Sequence, residues 1–284
     1  MLSQILFPLA RRFVSGHNVT EAVAAVRKLN DQGITATLDV LGENVTERNT
    51  AEAAVSSYLQ TLDAIGQSSI RANVSLKLTQ MGLDIDRDFC LANMIRICER
   101  ASALPCFVRI DMEGSDYTQK TLDLFYELFR WHRNVGIVIQ AYLHRSLNDI
   151  HQLIDLGARV RLCKGAYKEP PSLALQEMPE IRQNFKNLAE ALLLKGEYPA
   201  IATHDDELIA WVKSFAASQG ISKEKFEFQM LYGVRPDTQR KLAAEGYNMR
   251  VYVPYGTHWL PYFYRRLRER KENVYFVLKH LFRT

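Results

Sequence analysis

The sequence predicts a single (βα)₈ barrel of the TIM type, with an α/β fold, on three observations. Short β-branched or apolar runs alternate with longer segments of helical spacing along nearly the whole chain. Eight such alternations occur, each about 30 residues long, which is the size and rhythm of this barrel. The runs are mostly apolar rather than strictly alternating, as expected of parallel strands that are covered on both faces. The chain has 284 residues, without a Pro- or Ser-rich linker to divide it, so we expect one barrel domain.

The predicted strands are short and share β-branched or apolar character. They cover Thr35–Leu41, Arg71–Leu78, Phe107–Ile110, Gly136–Gln140, Arg159–Cys163, Ala200–Ala202, Phe226–Met230 and Met249–Val253.

The predicted helices follow these strands, and glycines are expected to close several of them. They cover Thr50–Ile65, Asp86–Ser102, Tyr117–Arg133, Leu147–Leu156, Glu180–Lys195, Asp206–Ser218, Pro236–Glu245 and a last helix from His258 onward, with Gly66, Gly157, Gly196, Gly220 and Gly246 as stops. An extra helix, Thr20–Asn30, precedes the first strand. The expected organisation is an N-terminal helical segment at 1–34, the barrel at 35–273 and a C-terminal tail helix at 274–284.

Composition excludes several classes of protein. No apolar run approaches the 18 or more residues that a membrane-spanning helix needs. Basic residues follow rather than precede the apolar stretch 2–10, the reverse of a secretory signal, and we expect a cytoplasmic protein. The net charge of +4 is too small to indicate nucleic-acid binding by itself. The four cysteines lack Cys-x-x-Cys or zinc-finger spacing, so neither a redox motif nor a structural zinc site is predicted.

An open, doubly wound sheet would share the strand and helix alternation. That fold usually carries a Gly-rich turn after its first strand. The sequence contains neither Gly-x-Gly-x-x-Gly nor a Gly-x-x-x-x-Gly-Lys-Ser/Thr motif. The closed barrel is therefore favoured, and a nucleotide would have to be held in another way.

Polar side chains follow every predicted strand, at the end where barrel enzymes place their active sites. One such residue alone is more often a structural ion pair, but eight on one rim favour a site for a charged small molecule and a polar cofactor. The strand ends are Gly42-Glu43, Lys77, Asp111-Met112-Glu113, Gln140-Ala141-Tyr142, Lys164 to Tyr167, Thr203-His204-Asp205, Gln229 to Tyr232 and Tyr252 to Tyr255.

The final helix carries adjacent arginines, Arg265 and Arg266, with Tyr262 one turn earlier and Glu269 one turn later. A solvated basic face is one interpretation, and it suits the residues from Arg268 to Lys271. For the adjacent pair we favour carboxylate binding, because a planar guanidinium grips a carboxylate with two parallel hydrogen bonds.

Two other functions remain compatible with these residues. A Schiff-base aldolase would need a desolvated lysine at a strand end, and Lys77 and Lys164 both qualify. A nucleic-acid patch would use the basic run 265–271, although the interleaved Glu269 and Glu272 weaken its field.

Eight segments, taken in order, resemble the proline dehydrogenases. They are Leu38-Asp-Val-Leu-Gly-Glu43, Val74-Ser-Leu-Lys77-Leu, Arg109-Ile-Asp111, Gln140-Ala-Tyr-Leu143, Arg161-Leu-Cys-Lys-Gly-Ala-Tyr167, Ala202-Thr-His204, Glu227-Phe-Gln-Met-Leu-Tyr-Gly233 and Tyr262-Phe-Tyr-Arg-Arg-Leu-Arg-Glu269. The resemblance runs from about residue 35 to residue 273. Without an aldehyde dehydrogenase half, the chain is similar to the short, monofunctional bacterial form.

The resemblance implies a distorted barrel that oxidises L-proline to 1-pyrroline-5-carboxylate. Lys77, Arg265 and Arg266 would bind the carboxylate, with Asp111 and Glu43 paired to Arg265 in the closed site and the Glu43 pair acting as a gate. Tyr167, Leu231, Tyr252 and Tyr262 would form the walls around the proline ring.

The resemblance also implies noncovalent FAD and a membrane quinone as electron acceptor. Arg161 would lie beside the flavin N5, and further cofactor contacts would come from Gln140, Cys163, Lys164, Gly165, Ala166, Thr203, His204, Gln229 and Glu269. The product could pass to a separate pyrroline-5-carboxylate dehydrogenase. The tail after Asn273 could rest on a membrane surface, although packing against the barrel is the preferred interpretation of its short apolar face.

Overall fold

The described part of the chain forms a closed barrel of eight parallel strands, β1 to β8, in sequence order. A computed structural model describes residues 7–269, with side chains through Arg266. The strands are Thr35–Val40, Ala72–Leu76, Val108–Ile110, Val135–Gln140, Val160–Cys163, Ala200–Ala202, Glu227–Leu231 and Asn248–Tyr255. β1 closes the barrel by pairing with β8, with Thr37 opposite Tyr252. The predicted fold class is confirmed.

Helices lie between successive strands, as in a (βα)₈ barrel, and others precede β1 and follow β8. The nine α-helices from residue 19 to residue 269, numbered α1 to α9, are Val19–Asn30, Arg48–Ser68, Arg87–Ala103, Ser115–Phe129, Ser146–Asp155, Met178–Lys195, Asp206–Ser218, Pro236–Ala244 and Trp259–Glu269. Residues 7–10 are helical as well. Side-chain caps begin several of them: Asn18 accepts the Glu21 N–H before α1, and Asp86 accepts the Phe89 N–H before α3. Such caps satisfy amide groups that have no partner inside the helix.

The main core lies between the outer faces of the strands and the inner faces of the helices. On α2 the buried residues Val55, Tyr58, Leu62 and Ile65 recur at helical spacing. Their side chains therefore form one apolar stripe directed at the barrel. This core fixes the strand ends, from which the polar side chains of the mouth project.

The prediction that Gly66 closes the first long helix is wrong. The α2 helix continues to Ser68, and Ser69 adopts the left-handed conformation that ends it, with φ of 54°. Gly66 lies where a β-carbon would come within 2.8 Å of the Leu104 side chain. The glycine thus permits a close approach between α2 and the segment after α3, rather than a stop.

The helix predicted to run to Arg133 ends earlier, at Phe129. The side-chain amide of Asn134 donates to the Cys98 carbonyl at 3.0 Å and to the Cys106 carbonyl at 3.4 Å. These hydrogen bonds anchor the start of β4, so the chain must leave the helix before Asn134.

A second buried cluster attaches α9 to the N-terminal segment. Phe13 and Val14 pack there with Trp259, Tyr262 and Phe263 of α9. The Phe13 and Phe263 ring centroids are 6.3 Å apart. Packing of this kind sets the position of α9 above the barrel mouth.

The predicted tail at 274–284 lies outside the described residues, as does the 270–273 end of the predicted barrel. Within residues 7–269, no helix combines the length and the apolar character that crossing a bilayer requires.

Candidate active site

The carboxyl end of the barrel opens into a cavity of about 650 Å³ beneath α9. Glu43, Lys77, Tyr262 and Arg265 line it together with one side of α2. Lys77 follows β2 directly, where a turn closed by the Gln80 N–H on its carbonyl (3.2 Å) begins. Four residues predicted from three separate segments of the sequence therefore share one cavity at the expected end of the barrel.

Lys77 is a buried ammonium surrounded by carboxylates. Its Nζ lies 3.7 Å from Asp39 Oδ1, on the neighbouring strand β1. Burial alone would lower the pKa of Lys77, but Asp39, Asp111 and Glu43 together raise it above its ordinary value. Lys77 therefore stays protonated at neutral pH and presents a fixed positive charge to the cavity.

Arg265 and Glu43 form an ion pair across the mouth, between α9 and the loop after β1. Arg265 Nη1 lies 2.6 Å from Glu43 Oε1, and both side chains are partly exposed. Arg266 is buried, with its guanidinium carbon 5.0 Å from the centre of the Tyr262 ring. The adjacent arginines thus occupy different environments, one at the edge of the cavity and one packed beneath it.

Asp111 does not pair with Arg265 in the described structure, contrary to the sequence-based expectation. Its Oδ1 instead accepts hydrogen bonds from Arg161 Nη1 (2.7 Å) and Ser75 Oγ (2.6 Å). Its Oδ2 accepts from the Tyr252 hydroxyl at 2.8 Å. Asp111 follows β3 and faces the barrel axis, so its nearest cation is the inward-facing Arg161 of β5 rather than an arginine on α9.

Arg161 presents buried hydrogen-bond donors that the described chain does not satisfy. Its Nε and Nη2 have no partner there, although the residue is only 5% exposed. Buried donors without partners are rare because each costs roughly 1–3 kcal/mol. A ligand with acceptor atoms at this position, such as a flavin ring, would fit these donors.

Gly165 lies in the loop after β5 with φ of +115°, a conformation that favours glycine. A β-carbon there would come within 2.3 Å of the Tyr142 ring. The loop therefore passes closely over Tyr142, at a distance that only a glycine permits.

The other predicted cofactor residues occupy the ends of β4 to β7. Gln140 is buried and donates from Nε2 to the Glu113 carbonyl at 2.8 Å. His204 accepts the Leu231 N–H on Nε2 at 3.0 Å, and Thr203 Oγ1 accepts the Asp205 N–H at 3.1 Å.

Lys164 and Gln229, two further predicted cofactor residues, also make contacts within the chain. Lys164 Nζ lies 3.0 Å from Asp205 Oδ2. Gln229 Nε2 donates to Glu227 Oε1 at 2.5 Å, a bond directed toward the amino-terminal end of the barrel. Burial raises the pKa of the Cys163 thiol to about 12, so this cysteine is a neutral packing group. Ala166 is exposed, and the Glu269 side chain lies outside the described residues.

The aromatic residues predicted to form the walls of the substrate site surround the mouth. Burial, with a contribution from Glu113, raises the pKa of Tyr167 to about 12. Burial and Asp111 raise the pKa of Tyr252 well above its ordinary value. Both phenols therefore stay neutral at physiological pH. Leu231 ends β7 and packs against the cluster that contains Tyr262.

Sequence reasoning did not identify Asp39 or Arg182. Asp39 is fully buried beside Lys77, and it is the one carboxylate in an otherwise uncharged strand segment, Thr35–Val40. That isolated charge is the signal that could have revealed it. Arg182 of α6 lies 2.8 Å from Asp205, and one arginine on an ordinary amphipathic helix gives no comparable signal.

Taken together, the closed barrel and the charged cavity at the carboxyl ends of its strands define a (βα)₈-barrel protein with a candidate small-molecule site. The family model described as "Proline dehydrogenase" matches residues 22–279. The chain belongs to the proline dehydrogenase family.

Two curated proline dehydrogenases match this chain over nearly their whole length. The chain is 43% identical to proline dehydrogenase 2 of Bacillus subtilis (strain 168) over 270 residues, covering 95% of this chain and 89% of that protein. It is 39% identical to the proline dehydrogenase of Deinococcus radiodurans over 281 residues, covering 97% and 91%.

A solved structure with the same fold is that of proline utilization A (PutA) from Bdellovibrio bacteriovorus, described as inactivated by N-propargylglycine. The TM-score is 0.87 at 26% sequence identity, over 94% of this chain. The chain spans only 33% of the length of that larger protein.

Proposed function

We propose that this chain oxidises L-proline to 1-pyrroline-5-carboxylate with noncovalent FAD and passes the electrons to a quinone, as the first step from proline toward glutamate. The observation that carries the proposal is a cavity where Lys77 and Arg265 present positive charge, in a barrel whose inward-facing Arg161 has buried donors without partners. We place the reaction in the cytoplasm.

The cations would bind the substrate carboxylate. A buried carboxylate is costly unless it is paired, and Lys77 and Arg265 line the cavity that would receive it. Arg266, the next residue of α9, would complete the set. Tyr167, Leu231, Tyr252 and Tyr262 would enclose the apolar ring carbons and exclude water.

The same charges would keep the amine of bound proline neutral. A positive charge close to an amine opposes its protonation, and Lys77 is held protonated by its carboxylate neighbours. A neutral nitrogen has the lone pair that must assist loss of hydride from the adjacent ring carbon. The cations would therefore favour the neutral, reactive form of the proline amine as well as bind the carboxylate.

FAD would be held on the side of the mouth formed by β4 to β7. Arg161 would donate to the flavin ring, the Gly165 loop would lie against it, and Gln140, Thr203, His204 and Gln229 would provide further contacts with Cys163, Lys164, Ala166 and Glu269. When bound, the flavin supplies the hydride acceptor. The contribution of the chain is to fix the orientation of Arg161, which Asp111 and Ser75 hold.

The Glu43–Arg265 pair would act as a gate. It joins the loop after β1 to α9 at the edge of the cavity. Opening would admit proline, and closure would exclude water around the reacting atoms.

A membrane quinone would be reached from the surface of the protein. The tail after residue 273 could make a peripheral membrane contact, and a separate pyrroline-5-carboxylate dehydrogenase would consume the product. Vesicle co-sedimentation of the chain truncated after Asn273 tests the tail: unchanged sedimentation relative to the full chain would exclude its role.

Turnover of the purified protein tests the proposed reaction and separates it from an aldolase. We expect L-proline to be oxidised with a soluble quinone as acceptor and 1-pyrroline-5-carboxylate to be trapped with o-aminobenzaldehyde. Lys77→Met should lose most of this activity because the carboxylate then lacks a buried cation. A covalent adduct at Lys77 or Lys164, formed with a carbonyl substrate and borohydride without proline oxidation, would instead identify an aldolase.

A further inference from the structure

The amino-terminal end of the barrel, opposite the mouth, contains a second cavity of about 240 Å³. Residues at or just before the starts of the strands line it, including Arg71, Arg109, Arg159 and Arg250. Glu227 is the one carboxylate among its described lining residues. The cavity therefore carries an excess of positive charge.

Glu227 is already engaged within the chain and cannot neutralise this excess. Both of its oxygens lie 3.0 Å from Arg250 Nε, and Gln229 and Tyr198 also donate to it. Arg250 is therefore paired. Three guanidinium groups, those of Arg71, Arg109 and Arg159, remain around the cavity.

Arg109 is the most informative of the three, because it is only 3% exposed and its Nε has no hydrogen-bond partner in the described chain. Its Nη1 donates to the carbonyls of Ile137 (3.1 Å) and Arg159 (2.5 Å). Burial, with the nearby positive charge of Arg161, lowers the pKa of Arg109 well below its ordinary value. An anion in the cavity would accept a hydrogen bond from Arg109 Nε. Its negative charge would also offset the burial and the repulsion from Arg161 that disfavour the charged guanidinium.

The two remaining arginines frame the opening of the cavity. Among residues 7–269, the acceptor of Arg71 Nη2 is a backbone carbonyl, that of Asn30, at 2.8 Å. Arg159 packs over the rings of Phe107 and Tyr198, with Glu197 at a long 3.9 Å from its Nη2. Even with Glu197 counted, positive charge remains in excess.

We infer that this amino-terminal cavity binds a small tetrahedral oxyanion of the inorganic phosphate type. Its volume lies below the roughly 300–1,000 Å³ typical of sites for drug-sized ligands. Guanidinium groups from the starts of three strands would approach the anion from different directions, which suits several phosphate oxygens better than the two oxygens of one carboxylate. The inference does not depend on the proposed reaction.

Calorimetric titration of the purified, flavin-loaded protein with inorganic phosphate at constant ionic strength tests this site. We expect saturable binding, and a higher unfolding temperature in phosphate than in chloride. Arg71→Gln and Arg159→Gln each remove an exposed guanidinium, and each should weaken phosphate binding about tenfold or more. Arg109→Gln should abolish binding if that variant folds.

Two control variants locate the anion. Arg240→Gln removes an exposed guanidinium of α8, and Arg265→Gln removes a cation of the substrate mouth. Phosphate affinity should be unchanged in both. Absence of saturable binding in the wild-type protein, or affinity lost in Arg265→Gln but retained in Arg71→Gln and Arg159→Gln, would overturn the inference.

Discussion

At the scale of the residue, charged side chains at the mouth form ion pairs inside the barrel, away from solvent. Arg161 and Asp111 are joined at 2.7 Å with side chains that are 6% and 13% exposed. Removing one member of such a pair leaves the other buried without a partner, which costs about 3–5 kcal/mol. Substitutions at Asp111 or Arg161 would therefore disturb stability as well as chemistry, and the more exposed Glu43 is the better probe of function.

Glu43→Ala should raise the KM for proline about two- to fivefold and leave the bound flavin unchanged. The ion pair with Arg265 is partly exposed, and such pairs contribute about 1 kcal/mol or less. Steady-state kinetics and the flavin-to-protein absorbance ratio measure the two effects. Glu52→Ala, which breaks the exposed ion pair with Arg96, is the control; equal kinetics in the two variants would contradict a role at the gate.

Gly165→Ala should lose bound flavin and stability together. The added β-carbon would overlap the Tyr142 ring, and φ of +115° is strained for alanine. Gly157→Ala is a matched control because φ is +70° there and no atom lies within 4 Å of the new carbon. We expect the control to cost only about 1 kcal/mol in urea unfolding and to keep its flavin. Full flavin occupancy in Gly165→Ala would be inconsistent with a cofactor against this loop.

The residues at the mouth could be predicted from the sequence, but the partners with which they interact could be predicted less well. Lys77, Arg265 and Glu43 follow from polar strand ends and from family motifs, and the structure brings them to one cavity. The partner of Asp111 could not be derived in that way, because it depends on which side chains face the barrel axis at the same level. Asp39 lies inside β1 rather than after its end, so the rule that barrel sites follow the strand ends does not predict it.

At the scale of the element, strand positions were predictable because most strands are buried on both faces, as β4 is at every position. Helix ends were less predictable. Gly66 lies inside α2 because the side chain of Leu104 packs against it, and this contact comes from the tertiary structure. Asn134 similarly fixes the start of β4 through contacts with residues that are distant in sequence. Local turn and stop signals cannot report such contacts.

Two consecutive βα units are joined by Asp205, which follows β6 and pairs with Lys164 after β5 and with Arg182 of α6. Burial would raise the pKa of Asp205, but Arg182 and Lys164 outweigh it and lower the pKa to about 2. A carboxylate whose pKa is depressed by folding stabilises the fold above its unfolded pKa of roughly 3.9, and loses that contribution as the pH falls through its folded pKa.

Asp205→Asn should therefore reduce the free energy of unfolding by about 1–2 kcal/mol at pH 7. Asparagine retains an oxygen to cap α7, so the substitution removes mainly the charge. The difference from wild type should shrink as the pH is lowered from about 4 toward 2. Urea unfolding over a pH series measures it; a difference that stays constant down to pH 3 would exclude the ion pair as its cause.

At the scale of the whole molecule, the N-terminal segment packs against α9 and so helps to position the site, although none of the predicted site residues lies in that segment. Phe13 is fully buried and packs against α9, the helix that carries Arg265 and Arg266. The fold could be predicted from repeated strand and helix signals, but this long-range packing has no local signature in the sequence.

Phe13→Ala should cost about 3–5 kcal/mol of stability by leaving a cavity, and it should also raise the KM for proline because α9 loses its support. Phe125→Ala removes an equally buried phenylalanine from α4 and is the matched control. We expect a similar loss in urea unfolding without the change in KM. Equal KM values in the two variants would show that α9 does not depend on the N-terminal segment.

We propose that proline is bound by its carboxylate at the barrel mouth, with its ring against a flavin beside Arg161. The most direct measurement is the visible spectrum of the purified protein before and after anaerobic addition of L-proline. We predict a flavin spectrum that is bleached by proline in the wild type and far less readily in Lys77→Met. A colourless protein, or a flavin that proline does not reduce, would contradict the account.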